Sequence, residues 1–177
     1  MWPFGKKKPA LDVRALGRMI YADEQRSFDE YFTLYSTDKD GFVAKYGVDI
    51  MAVKGNPSTL ELLFMFGEPL GLLADIDWRG EENCGEIEEF IEGRTGRSIS
   101  WRNSAVIRRT VPEESQRNGK FILKLLRAID SDMTLVGQKL IFFEMSWDSY
   151  VFASVDQATF NSVISTAPGL FHGVERL

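Results

Sequence analysis

Carboxylates are the residues of this chain with the most chemistry to offer. Asp75 and Asp77 stand two positions apart, the spacing that puts both on one face of a strand. Glu144 lies near the end of a second apolar run, with Leu140 and Phe142 on its side, and Asp148 follows at the tip of a turn. If these runs are neighbouring strands, the carboxylates converge. Asp75, Asp77 and Glu144 would then suit a hard cation such as magnesium or calcium, which takes oxygen ligands. A convergent pair could also serve as general acid and base. The competing reading is that strand-end carboxylates keep a face wet and discourage edge pairing. Glu82, Glu86 and Glu89 fall at i, i+4 and i+7, which places them on one face of a helix and reads as a solvated face.

Other chemistries lack a required part. One histidine, His172, excludes the two-histidine zinc motifs and the iron site built on two histidines. One cysteine, Cys84, excludes an internal disulfide framework and any multi-cysteine zinc site. Cys84 falls on the inward face of an acidic helix beside Glu81, Glu82, Glu86 and Glu88, the reverse of the positive setting a reactive thiolate needs. It reads as a small core residue. His172, the sixth residue from the end, in Phe171-His172-Gly173, reads as a surface or tail residue. Asp38-Lys39-Asp40-Gly41 resembles the middle of a calcium loop, but Ser36 and Gly47 would occupy its first and twelfth positions, so it reads as a turn. Gly93 to Ser98 lacks the lysine and spacing of a phosphate loop, and neither G-x-G-x-x-G nor G-x-S-x-G occurs. No cofactor is expected.

Charge narrows the partners. The 177 residues carry 21 basic and 26 acidic side chains, net -5. A mildly acidic chain is poorly suited to neutralising phosphates, so no nucleic-acid partner is expected. The charge is segregated: residues 57–95 hold 2 basic and 10 acidic side chains, and residues 96–130 hold 8 and 3. The two blocks either pack together or form complementary faces. Arg94, Arg97, Arg102, Arg108 and Arg109 surround Trp101, a grouping able to hold phosphate or stack a base unless the acidic block absorbs it. No apolar run is long enough to span a bilayer, so no transmembrane segment is expected. Met1 to Lys8 lacks the order of a secretory signal, and with a single thiol this points to a cytoplasmic protein. Trp2 and Phe4 beside Lys6, Lys7 and Lys8 offer a peripheral membrane contact within residues 1–8, or a plain flexible tail over 1–10.

The elements that would position these residues form one α+β domain over 11–177. Leu11 to Ser36 is helical, with a break near Asp23 to Ser27. Phe42 to Val53 fits either helix or strand. Ser58 and Glu61 make a capping box for a helix from Thr59 to about Phe66. Gly71 to Trp78 alternates as a strand, and Glu81 to about Glu92 is an acidic helix lined by Cys84, Ile87, Phe90 and Ile91. Arg97 to Val111 has no clear pattern. Glu113-Glu114 start a helix that runs to about Ile129. Leu140 to Met145 and Tyr150 to Val155 form a hairpin, and Asp156 caps a last helix before a short tail. The expected fold is therefore helices packed on a mainly antiparallel sheet of at least three strands, with a C-terminal β-hairpin followed by a helix.

Two segments carry a resemblance. One is Ala74-Asp75-Ile76-Asp77-Trp78-Arg79 before an acidic helix with Glu86-Ile87. The other is Leu140-Ile141-Phe142-Phe143-Glu144 leading through Trp147-Asp148-Ser149-Tyr150 into Val151 to Val155. A strand ending D-W-[KR] and a hairpin reading D-S-Y resemble, over about residues 71–165, a family of small bacterial proteins known only as a domain of unknown function. The resemblance implies a cytosolic bacterial α+β domain and brings no activity or site residue with it. In size and charge the chain is also analogous to toxin-neutralising immunity proteins.

These readings favour a non-enzymatic domain that binds another protein, a basic one, through an acidic face. Asp75, Asp77, Glu82, Glu86, Glu89, Glu144 and Asp148 would supply the charge. Trp78 and Trp147 would anchor the complex, unless they are core residues. The alternative is a divalent-metal-dependent enzyme using Asp75, Asp77 and Glu144.

Overall fold

The computed structural model describes residues 12–47 and 53–177. Its helices are α1 (Val13–Ile20), α2 (Gln25–Thr37), α3 (Lys39–Tyr46), α4 (Thr59–Gly67), α5 (Glu86–Thr95), α6 (Arg102–Arg108), α7 (Gly119–Thr134) and α8 (Gln157–Thr166). Short polar side chains set where several of them begin. Asp12, Asp38, Asn118 and Asp156 each accept the backbone N–H three residues on, at 2.7–3.1 Å. Each such cap is worth about 1 kcal/mol. Ser58 and Glu61 complete a reciprocal capping box on α4.

The strands are β1 (Ala74–Asp77), β2 (Gln138–Phe143), β3 (Ser149–Asp156) and β4 (Phe171–His172), in the order β1-β3-β2-β4 with every pairing antiparallel. The sequence Leu140 to Phe143 is apolar without interruption because β2 is buried on both faces. Leu140, Phe142 and Phe152 pack with Ile87 and Ile91 of α5 and with Phe121, Leu125 and Ile129 of α7. Ile141, Phe143, Val151, Ala153 and Val155 pack on the other face, against α1, α2, α4 and α8. The α+β domain with an antiparallel sheet and a hairpin followed by a helix is therefore present.

The second face is built from rings. Phe28 meets Phe66 edge-on at 5.0 Å and Tyr31 meets Phe42 at 4.8 Å. The buried phenols of Tyr21 and Tyr31 donate to the carbonyls of Leu63 and Leu62, and burial holds both well above the usual tyrosine range. Gly17 makes this packing possible, since a Cβ there would lie 2.0 Å from the Phe28 ring.

Several expectations need correction. Asp38 to Gly41 is not a free turn: Asp38 caps α3, which takes up Phe42 to Tyr46 as helix. Residues 48–52, within the ambiguous run, lie outside the described residues, as do residues 1–11 with the tail and its membrane-contact reading. Residues 81–85 are not helical, and α5 starts at Glu86. The stretch 97–111 contains α6. Its first amides, Asn103 and Ser104, donate to the carboxylate of Asp132 on α7, about 3.0 Å away. Glu113–Ser115 is an isolated 3-10 turn, and α7 starts only after the Asn118 cap. The last residues are no tail, because Phe171 and His172 form an edge strand on β2. His172 is buried, stacked on Phe142, with Nδ1 2.9 Å from the Gly173 carbonyl oxygen.

Candidate acidic binding groove

Strand pairing decides which carboxylates meet. Asp75 lies opposite Val151 and Asp77 opposite Ser149, so both carboxylates share one face of the β1–β3 ladder. The backbone N–H of Trp78 donates to the Asp148 carbonyl at 3.1 Å and holds the hairpin tip beside the end of β1. Glu86 reaches back from α5 to accept the N–H groups of Glu82 and Asn83 at 3.1 and 2.9 Å, which fixes the loop before the helix. The result is an open groove of about 490 Å³ whose lining includes Asp75, Asp77, Glu82, Glu86 and Asp148. Three separate stretches of chain thus bring five carboxylates together.

Their charges are not equally available. Arg79 grips Asp77 with Nε and Nη2 at 3.0 and 2.9 Å, and its backbone N–H adds a third bond at 2.8 Å. These bonds hold the Asp77 carboxyl far below the usual carboxylate range. Arg117 stands 3.3 Å from Glu82. Among the described residues, no cation lies within 4.0 Å of Asp75, Glu86 or Asp148. Trp78 and Trp147, chain neighbours of Asp77 and Asp148, are 50% and 44% exposed, so neither is an ordinary core residue. The Trp78 ring packs close to Gly119, where a Cβ would come within 3.2 Å of its Cε3 and Cζ3 atoms. Trp147 meets Phe64 of α4 edge-on at 4.9 Å.

Glu144 is not part of this groove. It continues the face of Leu140 and Phe142, and its carboxylate stands 3.7 Å from both His172 and Arg176. β3 separates β2 from β1, so Asp75 and Glu144 are about two strand spacings apart, roughly 10 Å. Among the described residues, no three His, Cys, Asp or Glu side chains are placed to share a metal ion. Glu89 is exposed on α5 outside the groove lining.

Much of the acidic run has another task. Arg108 of α6 is clasped by Glu81 and Glu88, through Nη1 to Glu81 at 2.7 Å and Nη2 to Glu88 at 2.5 Å. Burial alone would lower the guanidinium's affinity for its proton, but the bonds to Glu88 and Glu81 outweigh it and raise that affinity. Glu92 accepts from the Ile99 N–H and from the Trp101 indole at 2.9 Å. The arginine and tryptophan grouping around Trp101 is thereby partly tied to the acidic block. Cys84, expected in the core, is exposed. It sits in the loop before α5, with Arg108 Nη1 3.4 Å from its sulfur. It opens on a second hollow of about 450 Å³, lined in part by Glu82, Glu113 and Glu114. Glu82 thus borders both hollows. Glu113 and Glu114 escaped the sequence reading because they stood as the start of a helix, and only the fold carries them to Glu82.

Among the described residues, no helix is long and apolar enough to cross a membrane. Compared with protein-family models, with curated proteins and with solved structures, the chain gives no match in any of the three.

Proposed function

We propose that this protein is a binding domain that docks a basic segment of another protein in the acidic groove. The observation that carries this reading is the convergence of Asp75, Asp77, Glu82, Glu86 and Asp148 on one open groove, with the half-exposed Trp78 following Asp77 in the chain. Complementary charge would speed the encounter and set the register. A tryptophan already packed against its own chain near Gly119 loses little freedom when a partner covers its exposed part, which suits it to be an energetic centre. The acidic hollow beyond Glu82 would extend the track. No observation favours the metal-dependent reading, since Asp75, Asp77 and Glu144 are not gathered.

The test is fluorescence anisotropy with a labelled lysine-rich peptide, against an acidic peptide of equal length. The expected result is saturable binding of the basic peptide alone, weakening as salt rises. Asp75→Lys combined with Asp148→Lys should abolish it, and Trp78→Ala should weaken it by roughly tenfold or more. Binding that survives the double reversal, or that ignores salt, would overturn the proposal.

A further inference from the structure

The opposite end of the sheet holds a different chemistry. β3 runs from Ser149, beside the acidic groove, to Asp156, so its far end lies roughly 20 Å away. There the C-terminus of α5, the start of β2 and the end of β3 enclose a pocket of about 240 Å³. Arg94, Thr95 and Arg97 line it from one side, and Gln138, Ser154 and Thr159 contribute from the strands and α8.

Two of these side chains are unsatisfied. Arg94 Nε and Ser154 Oγ are buried without any hydrogen-bond partner. Among the described residues the Arg94 guanidinium makes no hydrogen bond and no ion pair, although it offers five N–H donors. Arg97 uses one of its own, to the Val136 carbonyl at 3.1 Å. Two carboxylates also border the pocket, yet neither answers the arginines. Asp156 is turned to the Thr159 N–H and hydroxyl at 2.7 and 3.1 Å as the cap of α8. Asp23, on the 3-10 turn after α1, lies beyond 4.0 Å of either guanidinium. Leaving a buried donor unpaired is costly, and proteins rarely do it without a partner to complete the bond.

We propose that this pocket binds a small oxyanion, the carboxylate or phosphate group of a small metabolite, with the Arg94 guanidinium as its fork and Arg97 and the Ser154 hydroxyl in support. A planar guanidinium matches two oxygens of either group, and a nearby second arginine strengthens the hold. At about 240 Å³ the pocket has room for a small molecule. This site is independent of the groove: a domain could keep either when the other is removed.

The experiment is a thermal melt of the full chain titrated with sodium phosphate and, separately, with sodium acetate, sodium chloride holding ionic strength constant. A ligand that binds only the folded state raises the melting temperature in a saturable way. We expect such a rise with at least one of the two anions, and the one that acts identifies the group as phosphate or carboxylate. Arg94→Met should weaken the response about tenfold or more and leave the melting temperature of the free protein unchanged or higher, because it removes an unpaired donor. Arg26→Met, at an exposed arginine on α2, should leave the response intact. If Arg94→Met does not fold, Ser154→Ala provides the same comparison. No saturable rise with either anion, or a full response in Arg94→Met, would overturn the proposal.

Discussion

Two arginines in this molecule hold carboxylates with the same forked geometry and with different consequences. Arg79 grips Asp77 two residues away, in the open. Arg108 grips Glu81 and Glu88, 27 and 20 residues away. Its side chain is 14% exposed, and those of Glu81 and Glu88 are 6% and 11% exposed. The exposed pair shapes one rim of a groove and could be lost without unravelling anything. The buried cluster ties α6 to α5 and to the loop before it. Acidity in a sequence is therefore not the same as an acidic surface. Between residues 81 and 92, Glu81, Glu88 and Glu92 have internal partners, Glu86 is half-buried and bonded to the loop before α5, and of the glutamates only Glu82 and Glu89 are exposed.

The sharpest break of this comparison is Arg108→Met. It would strand two buried carboxylates, and the expected loss of stability is about 3–5 kcal/mol, read from the midpoint of urea denaturation. Replacing Glu81, Glu88 and Arg108 together by apolar residues should restore much of that loss, because no charge is then left unpaired. If the triple variant is as unstable as the single one, the cluster holds the fold through shape rather than charge.

Asp132→Ala should come next. It leaves the first amides of α6 without their acceptor, for an expected loss of about 1–3 kcal/mol. Hydrogen exchange should show the amides of Asn103 and Ser104 losing protection before the rest of the helix.

The smallest effect belongs to Asp77→Asn. Its folded carboxyl titrates below the unfolded one, so the folded state binds fewer protons as the solution turns acid. Its contribution is therefore fully present above the unfolded value of about 4 and declines as pH falls below it. Asp77→Asn should match wild type less closely at neutral pH than in strong acid, where the two stability curves converge. Because the pair is exposed, the gap at neutral pH should be slight and should shrink further in high salt.

What the sequence made legible was what it encodes locally. The capping box of Ser58 and Glu61, the cap at Asp156 and the hairpin are each written within a few residues. α6 was illegible because its cap, Asp132, sits on another helix. Cys84 departs from its expected core position because Glu81 and Glu86 hold residues 81–85 in a loop, where helical spacing does not apply. Of the candidate site, Asp75, Asp77, Glu82, Glu86 and Asp148 were nameable from spacing, and they do share a groove. That Glu144 falls elsewhere depends on β3 lying between β1 and β2, and strand order is not written in any one segment. The arginine pocket was invisible for the same reason, since Arg94 and Ser154 approach only after the chain has closed.

The strand order β1-β3-β2-β4 also has a consequence in time. The central pair, β2 and β3, is joined by the shortest connection in the sheet, whereas Asp77 must find Ser149 and Phe143 must find Phe171 across long stretches of chain. Closing a short loop sacrifices less chain freedom than closing a long one. The hairpin is therefore placed to form early, with the two edges recruited late and released first. Both the groove beside β1 and the partners of His172 on β4 depend on those late edges, so slow opening of the native protein should reach them while the centre of the sheet is still protected.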